Sequence, residues 1–551
     1  MREWFKSGTP WVWLTAGAAA LSVLMVAGVL ALTAVRGLGH FWPKPVVETS
    51  FKEKDGSTIR LIGEVREREE VSVRRLTGAG FKIDSTDAFA GRLLFKLGNR
   101  DVSGVDFRWF PEPLLAELIY PKDLLTVERW EWGNFYGHLK AVKENGNVVA
   151  TGEAAWPALL ERFKRANTLF KRIYKIEKND IGHVNYNIEQ LRLEQRRAEL
   201  SVKLTESLKT GLAARREKLD DQFALLQAEL QTLRADIARD SIVGEVMDGK
   251  EIEVKLAQVA DVYRANAMSM ADKIGHYARK LVEFAVDDPR EANTEGGIFP
   301  SIFGTVLMVL LMTVIVTPFG VIAAVYMHEY AKKGPLIRVI RISVNNLAGV
   351  PSIVYGVFGL GFFVYFLGGN IDQLFFPEAL PAPTFGSAGI LWASLTLALL
   401  TLPVVIVSTE EGLSRVPLSL RQGSLALGAT KAETLWRTVL PMASPAMMTG
   451  LILAVARAAG EVAPLMLVGV VKLAPTLPLD GYFPFIHLER KFMHLGFHIY
   501  DVGFQSPNVE AARPLVYATA LLLVIVILVL NLAAIRLRNR LREKSRGLES
   551  I

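Results

Sequence analysis

Six runs of mostly apolar residues constrain this chain more than any other feature. A helix needs about 20 such residues to cross the hydrocarbon of a bilayer. The runs lie at about 11–35, 299–327, 343–368, 388–409, 444–470 and 514–535, and the last five crowd into residues 299–535. A charged block, about 38–297, separates the first run from the second. The 551 residues are 51% hydrophobic and 22% charged, and segregation along the chain is what reconciles the two figures. The expected fold class is therefore an α-helical membrane protein of six transmembrane helices. It carries a large α+β insert between the first and second helices. Pro318, Pro351, Pro403, Pro445 and Pro464 fall within the runs. Membrane bundles tolerate them because neighbouring helices satisfy the freed backbone groups.

Composition excludes several chemistries. The net charge of +7 reads as the Lys and Arg excess of cytoplasmic loops. No clustered basic face with interleaved aromatics stands out, so no nucleic-acid partner is expected. Cysteine is absent, which removes disulfides, thiol nucleophiles and thiolate metal sites. The nearest imitation of a phosphate-binding loop, Gly423 to Gly428, has Ala429 where the lysine belongs. No histidine pair has HExxH spacing. His487, His494 and His498 share one loop, but no metal and no cofactor are assigned. No Ser-His-Asp grouping is recognisable, so the chain reads as a non-enzyme whose energy source lies on another chain.

Basic residues set the expected orientation. Lys332, Lys333, Arg338 and Arg341 lie between the second and third runs, while the connection from Gly368 to Gly389 has no Lys or Arg. Arg536, Arg538, Arg540, Arg542, Lys544 and Arg546 follow the last run. Both termini are thus expected in the cytoplasm, and the insert on the opposite, periplasmic side. Arg2 and Lys6 precede a first run of about 25 residues, longer than a signal-peptide core and read as a retained helix.

Within the insert, Asp55-Gly56 and Asn145-Gly146 sit beside alternating segments, a hairpin signal. Further on, apolar residues recur at three- and four-residue steps in two stripes, Leu212 to Ile237 and Leu256 to Phe284. These predict an antiparallel coiled-coil hairpin of the two stripes, with VMDGKEIEV as a β-turn cap. A third stripe, from Ile181 to Leu191, extends the first helix backwards, with a break near Lys178-Asn179-Asp180. The expected divisions are 1–37, the N-terminus and first helix; 38–154, a periplasmic β-rich subdomain; and 155–297, a periplasmic coiled-coil hairpin. The transmembrane domain follows at 298–538, then a basic tail at 539–551.

Two constellations carry function. The loop 410–441 is polar and basic, with Arg415, Arg421, Lys431 and Arg437. It predicts a short helix over Ser419–Leu427, a turn at Gly428, and a second helix over Lys431–Val439 ending at Pro441. Two short helices joined at a glycine suit insertion into a groove on a soluble partner. The second constellation is Arg457 and Glu461 in the string RAAGEVAP, inside an apolar run. A charge at the centre of a membrane helix costs about 2.5–3.5 kcal/mol on insertion scales, so such residues mark ion paths or packing pairs. Four-residue spacing puts both on one helical face. The Arg457 fork suits an oxyanion, and Glu461 would hold it in place.

The loop followed by RAAGEVAP resembles the coupling loop and fifth helix of binding-protein-dependent ABC importer permeases. That family's loop centres on Glu-Ala-Ala with a Gly three residues later. Here Arg421-Gln422-Gly423-Ser424 precedes Leu425-Ala426-Leu427-Gly428, with Gln422, Gly423 and Ser424 in place of the Glu and the alanines. Upstream, NNLAGVPSIVYG, with Asn345, Asn346, Gly349, Pro351, Ser352, Tyr355 and Gly356, resembles the third-helix signature of phosphate-specific permease subunits of the PstA type. The resemblance covers about 299–535 and leaves 38–297 unexplained. It implies a type I importer permease fold in the bacterial inner membrane and lipid contact along the spans. It also implies a homologous second permease (PstC type), an ATPase pair (PstB type) and a periplasmic phosphate-binding protein (PstS type). By the same resemblance Arg457 is implicated in phosphate passage. Glu411, Arg421, Gln422, Gly423, Ser424, Gly428 and Pro441 belong to the ATPase-coupling loop, where Gln422 keeps hydrogen bonding but loses the family's charge. Two other readings stay open at this point. One is a permease for sulfate or molybdate. The other is a membrane-anchored scaffold or phosphate-signalling component acting through its coiled coil.

Overall fold

The computed structural model describes residues 7–83, 87–332, 334–506 and 509–549. Arg2, Lys6 and Lys333, used above for orientation, lie outside them. Of Arg542, Lys544 and Arg546 only the helical backbone is described. The chain forms two units, Met1–His40 with Phe284–Ile551, and Phe41–Glu283.

In the second unit, β1 (Val46–Lys52) and β2 (Thr58–Ser72) pair antiparallel around Gly56, whose φ of +88° is the left-handed turn that the Asp-Gly signal demands. With β3 (Phe89–Lys96) and β4 (Phe107–Pro111) they make a four-stranded sheet in the order β1-β2-β3-β4. Phe51, Phe95 and Phe110 are fully buried on it, with ring centroids 4.8 and 5.5 Å from Phe110. A second sheet joins β5 (Leu124–Arg129), β6 (Phe135–Glu144), β7 (Asn147–Thr151), β8 (Asp240–Glu245), β9 (Glu251–Lys255) and β10 (Val259–Tyr263). Strands β6 and β7 turn at Asn145-Gly146, both at positive φ.

The helical hairpin differs from expectation. The helix Ala155–Lys175 runs through a π-turn at Ile176–Asp180 into Ile181–Leu200, so the break expected at 178–180 is a bulge. The chain turns at 201–205, and Glu206–Ile237 packs back along these helices. The stripe from Leu256 to Phe284 is not its partner. Leu256, Val259 and Tyr263 belong to a 3₁₀ turn and to β10, and only Met270–Val286 is helical. VMDGKEIEV is the β8–β9 turn, with β9 in register along β8 from Ser241–Lys255 to Glu245–Glu251. The sheet overrides the local helical period because β8 pairs with β6 and β10 with β5, burying Ile242, Val254, Val259 and Val262 beside Leu159, Ile173 and Leu230. Strands from after residue 237 thus complete a sheet begun before 154, so the expected division at 154/155 does not exist in the fold.

In the first unit, six helical stretches among the described residues are long and apolar enough to cross a membrane: Thr9–Phe41, Phe299–Tyr330, Ser352–Phe375, Ile390–Ser414, Lys431–Gly460 and Ala512–Arg540. The helix Ile390–Ser414 is central. Its Ile390, Ala393, Leu397 and Val405 pack with Met308, Met312 and Val316 of the second span and with Ala454, Val455 and Ala458 of the fifth. Small residues bring the helices together, as expected where packing replaces a hydrophobic driving force. The first span meets the last where Gly37 lies against the Tyr517–Ala518 backbone and Arg36 donates to the Tyr517 hydroxyl at 3.1 Å.

Two spans are not where hydropathy placed them. The third, expected over 343–368, is broken: an amphipathic helix, Pro335–Leu347, ends before Pro351, and the span proper starts at Ser352. Pro351 lacks an N–H and biases Val350 away from helix, so it can open the new helix but not sit inside the old one. The fifth, expected over 444–470, stops at Gly460, because Glu461 is extended (φ −80°, ψ 136°). A short turn, Leu465–Val468, follows Pro464.

Candidate functional site

The break at the end of the fifth span builds the first half of the site. Arg457 occupies the last turn of Leu440–Gly460, where a cation complements the unpaired carbonyls of the helix end. Its Nε lies 3.7 Å from Glu461 Oε1, an ion pair too long for a hydrogen bond. The pair therefore spans a helix terminus and not one continuous helical face, which corrects the sequence expectation. Arg457 is 37% exposed, and among the described residues no second carboxylate pairs with it. A guanidinium so loosely held keeps donors for a passing ligand.

The NNLAGVPSIVYG string positions this break. Asn345 and Asn346 end the Pro335–Leu347 helix, and Gly349 N donates to Asn346 O at 3.0 Å to form the turn before Pro351. Ser352 begins the third span, and the Tyr355 hydroxyl donates back to Leu347 O, closing the turn. A Cβ on Gly356 would lie 2.7 Å from Pro464 Cα, so only glycine lets the third span approach the backbone just past Glu461. The string acts as a brace under the Arg457 break.

The loop forms the other half. Its first helix is Leu418–Ala426 and turns at Gly428, whose φ is +88°. Thr430 then caps the next helix: its Oγ1 accepts from Glu433 N at 3.3 Å, and Glu433 Oε2 accepts from Thr430 N at 2.9 Å. The second helix does not end at Pro441. It passes from Lys431–Thr434 through a π-turn, Leu435–Val439, straight into the fifth span. Pro441 lies inside this continuous helix, directly after the π-turn, where the hydrogen-bond ladder is already irregular. The loop's second half is thus the root of the helix that carries Arg457.

The loop residues divide into two groups. Gln422 and Gly423 are exposed, beside Leu425 and Leu427, the latter 91% exposed, and with Trp436 at 72% on the second helix. Apolar side chains this exposed mark a contact surface. Arg421 faces inward instead, where it ion-pairs with Glu329 and donates to Leu413 O. Lys431 donates to the Glu329 carbonyl and lies over the Tyr330 ring at 4.5 Å. Ser424 meets Thr434 at 2.9 Å across the loop. Glu411 lies in the last turn of the central helix. Glu329, which ties the loop to the second span, was not singled out by sequence reasoning. Its only signal is a carboxylate at the edge of an apolar run beside a basic loop.

The three loop histidines serve separate roles. His487 pairs with Asp480 at 2.9 Å and Glu489 at 3.1 Å, His494 accepts from Gly496 N at 3.1 Å, and His498 meets Thr519 at 3.3 Å. Among the described residues no group of three His, Cys, Asp or Glu could hold a metal.

Comparison with known proteins identifies the family. The family described as binding-protein-dependent transport system inner membrane component matches residues 316–546. The phosphate transport system permease protein PstA 1 of Mycobacterium tuberculosis is 35% identical over 244 residues, covering 44% of this chain and 71% of the relative. PstA of Yersinia pestis is 34% identical over 254 residues, covering 46% of this chain and 76% of the relative. A probable PstA of Methanocaldococcus jannaschii is 30% identical over 239 residues, covering 43% and 73%. All three alignments span less than half of this chain. On these matches the chain belongs to the binding-protein-dependent inner membrane permeases, as a subunit of the PstA type.

Proposed function

We propose that the chain is a membrane subunit of an ATP-driven importer of inorganic phosphate. The observation that carries this is Arg457, loosely paired beside a helix break in the membrane unit of a PstA-type permease. ATP is hydrolysed on a separate PstB-type ATPase pair. That pair docks on the exposed apolar surface around Gln422, Gly423 and Leu427, with Glu411, Arg421, Ser424, Gly428 and Pro441 holding the loop's form. Because the loop's second helix runs into the fifth span, a push on the loop moves Arg457 directly. A PstC-type permease completes the path, and a PstS-type binding protein delivers phosphate. Lys332, Arg338 and Arg341 at one end of the spans support an arrangement with both termini in the cytoplasm of a bacterial cell, the spans in its inner membrane, and the insert in the periplasm.

The test is phosphate uptake by the assembled transporter. Arg457→Gln should abolish it while the subunits still co-purify, and Arg457→Lys should retain a fraction. Wild-type uptake by Arg457→Gln would refute the assignment. Competition with sulfate and molybdate decides the substrate, and inhibition by either at phosphate-like concentrations would favour the broader oxyanion reading.

A further inference from the structure

Between the central helix, the fifth span and the end of Pro335–Leu347 lies a pocket of about 430 Å³. Its polar lining comprises Asn345, Ser408, Glu411, Arg415 and Thr449, and Leu453 forms part of its wall. Thr449, Leu453 and Arg457 follow at four-residue steps, so the pocket and the Arg457 break share one face of the fifth span. They are separated by about 12 Å of helix axis at 1.5 Å per residue.

Arg415 differs from three neighbouring cations, which are engaged. Arg341 bonds Glu410 at 3.0 Å, Arg421 pairs with Glu329, and Lys431 donates to the Glu329 carbonyl. Arg415 is 76% exposed and lies 3.8 Å from Glu411, beyond hydrogen-bond range. The Ser408 hydroxyl donates back to Val404 O at 2.8 Å and the Thr449 hydroxyl to Pro445 O at 2.9 Å. Both hydroxyl protons are therefore engaged, which leaves Arg415 and the Asn345 amide as the donors for an anion in the pocket.

We propose that this pocket is a second oxyanion station, through which phosphate leaving Arg457 passes toward the loop end of the bundle. The proposal rests on the transport reading above and adds a residue pair to it. Arg415 supplies the attraction, and Glu411 keeps the empty pocket near neutrality. The site therefore binds weakly enough to release, as a conduction path requires. A volume of 430 Å³ admits a small oxyanion with several waters, each occupying about 30 Å³.

The chain has no cysteine, so a thiol introduced into it is the sole one to be read on this subunit. A single Leu453→Cys reporter is placed in the assembled transporter, in membrane vesicles with the loop end accessible. Its initial labelling rates with an anionic and a cationic thiosulfonate are each normalised to a free small thiol. The anionic reagent should be favoured, by about 10-fold. Arg415→Gln should remove the preference and Glu411→Gln should raise it. Millimolar inorganic phosphate should slow labelling where equal chloride does not. Equal normalised rates, a preference that survives Arg415→Gln, or absence of protection by phosphate would each overturn the station. Loss of uptake in Arg457→Gln together with any of these results would leave the transport reading standing. Intact uptake in Arg457→Gln would sink that reading itself.

Discussion

Gly450→Ala should force the fourth and fifth spans apart, and the structure gives the size of the effect. A Cβ at residue 450 would lie 1.6 Å from Ser408 Oγ and 2.4 Å from Ser408 Cβ. The hydroxyl can rotate away, giving up its 2.8 Å bond to Val404 O, but the Ser408 Cβ is fixed to its own helix. Apolar atoms meet at about 4 Å, so the helices must separate locally by about 1.5 Å. Overpacking of this kind costs about 1–3 kcal/mol. For a unit of this size each kcal/mol lowers the melting temperature by about 2–4 °C. Ser408→Gly removes the obstructing carbon, so the Gly450→Ala/Ser408→Gly double variant should recover most of the loss, a coupling of about 1–2 kcal/mol. The assay is the fraction of detergent-solubilised transporter that stays monodisperse on gel filtration after stepwise heating. The reasoning fails if Gly450→Ala melts with the wild type. It fails equally if the double variant is no more stable than the single one.

Gly428→Val places a β-branched residue at φ +88°, a conformation costing about 1–2 kcal/mol for non-glycine residues, and should displace the two loop helices. Reduced co-purification with the ATPase checks it, and undiminished recovery counts against the role of the turn. Thr430→Ala deletes the hydroxyl side of the capping box and should cost about 1 kcal/mol, read as an earlier melting transition. Burial pushes His494 down to about 3 and His498 to about 4, the latter despite opposing effects of Asp501 and the Asn293 backbone. Both are thus neutral when folded, while the unfolded chain takes up protons below about 6.5. Stability should fall as pH drops from about 6.5 toward 4 and 3. His494→Asn should flatten that slope in melts at pH 7.5 and 5, and an unchanged slope would exonerate His494.

Much of the membrane unit was legible in the chain because bilayer spans are a local property. About 20 apolar residues suffice, and the six stretches appear where length and hydropathy put them, apart from the third and the fifth. The Asp55-Gly56 and Asn145-Gly146 turns were legible for a similar reason, since a short turn that needs a glycine at positive φ is a demand on those residues alone. Pro351 broke its span through its own missing N–H, whereas the break at Glu461 is met by a neighbouring span. The Tyr355 hydroxyl closes one turn, and the close approach of Gly356 to Pro464 accommodates the other.

What this sequence by itself determined is the set of elements whose causes lie within a few residues of each other: the apolar spans, the glycine turns and the capped loop helix. The partners of those elements were settled only in three dimensions. Leu256, Val259 and Tyr263 keep helical spacing yet join a sheet, because pairing of β10 with β5 satisfies their backbone and buries them beside a hairpin closed by other helices. Likewise Arg415 and Arg421 look alike in a basic loop. Glu329, 92 residues upstream of Arg421 and folded against it, is what leaves one arginine engaged and the other open.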